Sequence, residues 1–375
     1  MLLLHSYHEG YEWTDSIHQG VLKSLRSPSG MDIRLYVEYL DTMRNPGEGH
    51  KEAMAALLRS KYTDRGVAFD LVICTDDDAL VFVRRRGEAL FGDVPKVFCG
   101  INDFTPGHIA GMTNITGVNE AKSIRETLEI LFDLFPQVRT VAVVTGSRLA
   151  ERRNHEQAQE ITRSFRGKAK FDWYNELEPA DLVKRLSELD PGTSVIFYLN
   201  YFLSPSGEAF SIGDSMKLIT EATEAPLFVT ADFLLSRGAM GGKVVSGHSQ
   251  GEEAASLALR ILSGERADDI PVVMESPNRY MFSQAALERY GISLQALPPA
   301  SLLVAPDGST VFADWEGASK KFFSGYDVFM KNVTPMLLID PDSGAIVDAN
   351  QAARTFYGYP GLQGMNIRQI NMLPP

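Results

Sequence analysis

Short apolar runs alternate with amphipathic stretches through most of the chain. Leu2, Leu3 and Leu4 predict a buried strand. After a polar, aromatic loop, Ile17, Val21, Leu22 and Leu25 recur at three- and four-residue steps and predict a helix from about Asp15. Thr14 or Asp15 is its expected cap, because a short oxygen-bearing side chain accepts bonds from the free amides of a first turn. The alternation continues with a strand at 31–41, a helix over roughly 48–63 and a strand running into a loop at 69–78. A helix over about 79–90 and a strand and loop at 95–103 follow. Strands alternating with helices of this length predict βαβ units and a parallel sheet.

Residues 115–119 are expected to open a second, similar series. Asn119 is the expected cap of a helix running to Phe135, with Ile124, Leu128, Leu131 and Phe135 on its inner face. Strands are predicted at 138–147, 193–202 and 226–233, with helices over about 150–166, 180–189 and 214–224. A glycine-rich link (236–245) leads to a long helix with Ala254, Ala255, Ala258, Leu259 and Leu262 on one face, then a late strand at 270–282. This is the pattern of two α/β lobes, with 115–119, 236–245 and 268–274 as the candidate crossings between them. Farther on, a Pro-Asp-Gly turn between short apolar runs in 296–315 predicts a hairpin or linker, and Lys320 to Asn332 a connecting helix. Residues 336–359 read as strand, tight turn, strand, helix.

In open α/β sheets ligands bind beyond the carboxyl ends of the strands, so the chemistry is sought there. Tyr7, Tyr11 and Trp13 crowd the first loop and are candidates to stack on a small organic ligand. Asp76 or Asp232 would meet a positive group. Thr75, Asn102, Ser147, Asn200 and Tyr201 stand at other strand ends as further ligand-binding candidates.

Composition narrows the choice. Of 375 residues, 44% are hydrophobic and 22% charged, the balance of an ordinary folded protein. A net charge of −12 argues against non-specific binding to nucleic acid or anionic lipid. Two cysteines, Cys74 and Cys99, exclude a disulfide scaffold and a Cys-rich zinc site; buried free thiols are expected. No metal or cofactor is expected either. His5 and His8 lack further clustered ligands, and the consecutive Asp76, Asp77 and Asp78 cannot all face one ion. No apolar run reaches the roughly 18 residues of a membrane span, and Met1–Leu4 is too short for a signal peptide. The chain therefore reads as cytosolic or as a piece of a longer exported protein. Gly247-His248-Ser249-Gln250-Gly251 fits the nucleophile elbow of α/β hydrolases, but none of the seven histidines follows Ser249. Without a downstream base that serine is an ordinary alcohol, which makes a hydrolase the distant alternative.

Five segments together carry a family resemblance: HSYHEGYEWTDSIHQG (5–20), YVEYLDT (36–42), CGIND (99–103), TGVNE (116–120) and SRGAMGG (236–242). They resemble the periplasmic-binding-protein-like sensor domains, of the ABC-transporter substrate-binding type, at the N-terminus of bacterial sensory kinases and cyclases. The resemblance covers about 1–292. It implies a type I periplasmic-binding fold with two hinged lobes, each a parallel sheet flanked by helices. Lobe 1 would take about 1–115 and 245–268, and lobe 2 about 116–236 and 270–292, with a linker at 293–332. A second likeness, LLIDPDSGAIVDANQAARTFYGY (337–359), resembles the first strands and helix of a PAS domain, of which 333–375 would be an incomplete α+β fragment. Together they imply a non-enzymatic, extracytoplasmic module that closes on a small amino-acid-like or aromatic ligand. Its signal would pass to a membrane-bound or PAS-linked output such as a histidine kinase or diguanylate cyclase, with a homodimer as a candidate assembly. The alternative is the substrate receptor of an ABC transporter, which has no use for a PAS-like tail.

Overall fold

Alternation along each strand decides which side of a sheet a residue covers. In β1 (Leu2–His5), Leu2 and Leu4 join one apolar cluster while Leu3 joins another. The computed structural model describes residues 1–26, 31–306, 308–312, 335–339, 344–357, 362 and 365–367. They divide into two compact units, Met1–Met281 and Phe282–Pro375.

The first unit holds two parallel sheets. One has the order β2-β1-β3-β4-β5, with β2 Tyr36–Tyr39, β3 Val72–Thr75, β4 Lys96–Asn102 and β5 Ile115–Glu120. Helices α1 (Glu12–Leu25) and α8 (Gly247–Leu262) cover one face through Ile17, Val21, Ala254 and Ala258. Helices α2 (Glu48–Lys61) and α3 (Asp76–Phe91) cover the other through Leu58, Leu80 and Val83. Cys74 and Cys99 are free and buried, and alternation sends them to opposite faces.

In the second sheet the strands of this unit run β7-β6-β8-β9-β10. These are β6 Thr140–Val144, β7 Lys170–Tyr174, β8 Ser194–Tyr198, β9 Leu227–Val229 and β10 Gly241–Val244. Its helices are α4 (Ile124–Leu134), α5 (Leu149–Thr162), α6 (Pro179–Ser187) and α7 (Ile212–Ala222). The two lobes expected from the sequence are present.

Five boundaries differ from the expectation. Residues 115–119 do not open the second series; they form the edge strand of the first sheet. There Gly117 lies against Phe98 so closely that a Cβ would come 2.4 Å from the ring. The first crossing therefore follows Glu120. Residues 236–245 are not a loose link, because Ala239 and Met240 are fully buried and lead into β10. Asn119 caps no helix: its side chain accepts from Phe104 N and donates to Met274 O, and α4 begins only after Ser123. Helix α1 starts at Glu12, ahead of the expected cap, and Asp15 instead accepts from the Gly10 amide. Of the late strand, 270–278 forms a single bridge, Val118 to Val273, before β11 (Arg279–Ser283).

Backbone proximity between α1 and α8 fixes the first lobe. A Cβ on Gly20 would stand 2.0 Å from His248 O, and one on Gly251 2.1 Å from Ile17 O. Only glycine permits that approach.

In the second unit, α9 (Gln284–Arg289) precedes β12 (Leu302–Val304) and β13 (Thr310–Phe312), which form the predicted hairpin. Strands β14 (Leu337–Ile339) and β15 (Ile346–Ala349) pair antiparallel and lead to α10 (Gln351–Tyr357). Ile346, Ala349, Ala353 and Leu362 form a small apolar cluster there. The connecting helix expected at Lys320 to Asn332 lies outside the described residues. Among the described residues no helix is long and apolar enough to cross a membrane.

Candidate functional site

Each parallel strand hands its chain to a loop at the carboxyl end, and these loops gather the candidate residues. At the tip of β1, His5 is fully buried: its Nδ1 lies 3.0 Å from Thr75 Oγ1 and its Nε2 3.3 Å from His18 Nδ1. Its ring stacks on Tyr39 at 5.1 Å. Burial, with His18 beside it, lowers its pKa to about 3, so His5 is neutral. Ser6 donates to Thr75 O and accepts from Ala79 N, which satisfies a free amide in the first turn of α3.

Asp76 begins α3 at φ +66° and is 2% exposed. Trp13 Nε1 donates to its Oδ1 at 2.7 Å, and Thr75 donates to its other oxygen. Burial outweighs these bonds and holds the carboxyl well above the ordinary range. Gly100, at φ +71°, passes so close that a Cβ would meet Asp76 Oδ1 at 2.7 Å. Thus Thr75, Asp76 and Trp13, all expected to face a ligand, are engaged with one another. Trp13 lies in the first turn of α1 among apolar residues of the first lobe, not in the loop.

Tyr7 and Tyr11 are half-buried and meet edge to face at 5.6 Å. Burial and Asp76 raise both phenols, while Arg148 of the second lobe pulls Tyr11 back. Asp77 is also raised by burial; Asn102 donates a hydrogen bond to it, and His108 and Arg153 act against the shift. Glu120, missed by the sequence reading, ends β5. Burial lifts its carboxyl to about 7, with Asp77, Asp103 and Asp232 adding to the lift. Asp232 is raised to about 6 by burial against a hydrogen bond from Ser246. The strand tips of both lobes thus share one acidic, aromatic region.

On the second lobe the Ser147 hydroxyl is shielded from water and has no partner among the described residues. Arg148 stands at the start of α5 with its guanidinium 5.6 Å from the Phe202 ring. Glu151 holds this corner together, accepting from the Arg148 and Phe202 amides. Asn200 takes φ +76° at the end of β8, and its carbonyl accepts from Gly146 N. Tyr201 is turned away: it is fully buried and its hydroxyl donates to Leu177 O. Across the gap, Arg237 pairs with Glu12, and Phe233 meets Trp13 at 6.5 Å.

Gln250 ties β4 to the end of β5 and to the segment that follows Val273. Its amide oxygen accepts from Gly100 N, and its nitrogen donates to Asn119 O and Ser276 Oγ. Ser249 sits in the first turn of α8, where its amide bonds the capping Ser246 side chain. The elbow-like motif is a helix start, and the hydrolase alternative is set aside. Among the described residues no three His, Cys, Asp or Glu side chains are grouped to hold a metal ion.

Known proteins give the same picture. A family model described as ABC transporter substrate binding protein matches residues 91–307. No curated protein matches. Among solved structures, a conserved domain protein from Vibrio cholerae has TM-score 0.52 at 17% identity, covering 78% of this chain and 94% of that one. A ligand-free, open substrate-binding protein with adhesive properties from Clostridium difficile has TM-score 0.58 at 14% identity, with the same coverage of 78% and 94%. A Streptococcus pneumonia ABC domain in complex with L-Trp has TM-score 0.50 at 15% identity, covering 78% and 95%. At these identities the structural likeness speaks for the fold, one typical of periplasmic and extracytoplasmic binding proteins. The family match spans more than half the chain. With two facing lobes and a polar, aromatic set of strand tips, the chain belongs to the ABC transporter substrate-binding protein family, non-catalytic proteins that bind small molecules.

Proposed function

We propose that this chain is the substrate receptor of an ABC transporter and takes a small amino-acid-like or aromatic ligand between its lobes. The observation that carries the reading is the shared region of strand tips. Tyr7 and Tyr11 offer ring surface, Asp77, Glu120 and Asp232 offer carboxyl groups for an amine, and Ser147 and Asn200 offer hydrogen bonds from the opposite lobe. Asn102 would orient Asp77, while Thr75, Asp76, Trp13 and Tyr201 would shape the site without touching the ligand.

An aromatic ligand burying about 200 Å² gains on the order of 5 kcal/mol by desolvation. Micromolar affinity requires roughly 8 kcal/mol net, so charge-assisted hydrogen bonds supply the rest and offset the cost of ordering. Because both lobes contribute, the ligand favours the closed arrangement.

Calorimetry and thermal shift with L-Trp, L-Tyr and their decarboxylated amines test this. Micromolar binding that raises the melting temperature is expected. A folded protein stabilised by no amino acid or aromatic amine would defeat the reading.

A second reading, a sensor feeding a PAS-linked output, is favoured by one observation. The antiparallel pair β14–β15 followed by α10 lies beyond the transporter-type match, which ends at residue 307. Amide exchange over 335–357 separates the two. A ligand-dependent change there supports signalling, and an unchanged segment supports transport.

A further inference from the structure

The second lobe carries a cavity of about 600 Å³, lined by Gln159, Arg163, Arg166, Lys170, Phe171 and Trp173 among others. It lies between the C-terminal end of α5 and the edge strand β7. Arg163, Arg166 and Lys170 stand at the end of this lobe opposite the strand tips, and none of the lining residues belongs to the ligand region described above, so the cavity is a separate one. Its volume is that of a small-molecule site.

The lining has two parts. Arg163, Arg166 and Lys170 are exposed cations. Lys170 is paired with Asp172, whereas neither guanidinium has an ion pair or side-chain hydrogen bond among the described residues. Phe171 and Trp173 are half-exposed rings, held from behind by Phe132 at 6.4 Å and His155 at 4.7 Å.

Charge singles out this corner. The chain carries −12 overall, yet from Arg163 to Lys170 there are four basic residues and no acidic one, with Asp172 pairing Lys170 just beyond. Cations past the end of α5 also complement the negative end of its dipole. That fractional charge is smaller than the two unpaired guanidinium charges, so a positive potential remains. Guanidinium groups match carboxylate and phosphate oxygens in a planar fork, and an aromatic floor suits a flat ring.

We propose that this cavity is a second binding site, for a small organic anion that carries a planar ring. Arg163 and Arg166 take the anionic group, and Phe171 and Trp173 take the ring.

The probes are AMP and 2-naphthalenesulfonate, each against its neutral counterpart, adenosine and 2-naphthol, by calorimetry on the full chain. At least one planar anion is expected to bind about tenfold or more tightly than its neutral counterpart. The double variant Arg163→Ala/Arg166→Ala is expected to lose that preference. Both substitutions are on exposed side chains, so an unchanged melting temperature checks the fold. Tyr11→Ala, at the strand tips, is expected to leave the anion's affinity unchanged. The proposal is overturned if neither anion binds, if the neutral counterparts bind as well, if the double variant binds like the parent, or if Tyr11→Ala abolishes binding.

Discussion

The two sets of strand tips are built differently. On the first lobe the polar side chains bond one another: His5 with Thr75, Thr75 and Trp13 with Asp76, Ser6 with the start of α3. On the second lobe, among the described residues, the Ser147 hydroxyl has no partner and Arg148 rests on a phenyl ring rather than on a carboxylate side chain. The first lobe's atoms without a hydrogen-bond partner, His8 Nδ1 and the Thr14 and Thr116 hydroxyls, stand outside its bonded set. A buried polar network fixes positions, while a shielded hydroxyl without a partner at a strand tip is one that an entering ligand could bond. The first lobe therefore presents a fixed wall, and the second presents groups free to adjust to what enters.

The largest expected effect strikes the frame behind the fixed wall. In an exposed helix Gly→Ala stabilises by about 1 kcal/mol. At Gly20 the new Cβ would stand 2.0 Å from the His248 carbonyl oxygen, a backbone atom that cannot swing aside. Separating α1 from α8 costs about 3 kcal/mol, the overpacking scale, so the sign reverses. Chemical denaturation of Gly20→Ala should show a loss of about 2–3 kcal/mol. Stabilisation would mean that the two helices do not set the position of the wall.

Next comes Trp13→Phe, which keeps the ring and removes the bond to Asp76. Losing one bond to a buried carboxyl costs about 1–3 kcal/mol. A double-mutant cycle with Asp76→Ala, which removes the acceptor, sharpens this: if the two residues chiefly serve each other, the combined loss falls short of the sum of the single losses. Additive losses would return Trp13 to the role of a ligand platform.

The acidic region gives a pH test on the shared gap. Glu120 and Asp232 titrate near 7 and 6 in the folded chain, above ordinary carboxylates. The folded state thus holds extra protons between about pH 4 and 7, so stability is greatest below that window and is lost as pH rises through it. Urea midpoints should fall between about pH 5 and pH 8, and Glu120→Gln should recover on the order of 1–2 kcal/mol at the higher pH. A cationic ligand should reduce the fall, because it neutralises the carboxylates that burial disfavours.

The same contrast explains what was legible in the sequence. Strand tips follow from alternation and loop chemistry, so Tyr7, Asp76, Asn102, Ser147 and Asp232 stand at or just past strand ends, and Tyr11 in the loop that follows β1. Whether a tip side chain faces outward depends on partners far along the chain. Trp13 finds Asp76 and Tyr201 finds Leu177 only after folding, and nothing local announces either bond. Arg148 stands one residue past Ser147, so carrying the strand-end rule one position further finds it, whereas Glu120 follows Asn119, which reads as a helix cap until the structure shows it in an edge strand. Residues 236–245 misled because glycines suggest a loose link. Gly242, at a φ of +152° that side-chain-bearing residues rarely adopt, instead lets β10 pass Thr127 and Val229 at a distance no Cβ allows.

The smallest expected effect concerns the pair that joins the two sides. Arg237 reaches Glu12 across the gap, but Glu12 is about half exposed and solvent screens the attraction. An exposed pair of this kind is worth about 0–1 kcal/mol, so Arg237→Ala should lower the unfolding free energy by no more than about 0.5 kcal/mol, and by less in high salt. On the proposed closing motion, such a pair adds only a small, salt-dependent cost to separating the lobes. Stopped-flow ligand association, compared at low and high salt, should therefore change more for Arg237→Ala than the melting temperature does. A loss of several kcal/mol would instead show that the adjustable side and the fixed wall fold as one, and that neither is free to move against the other.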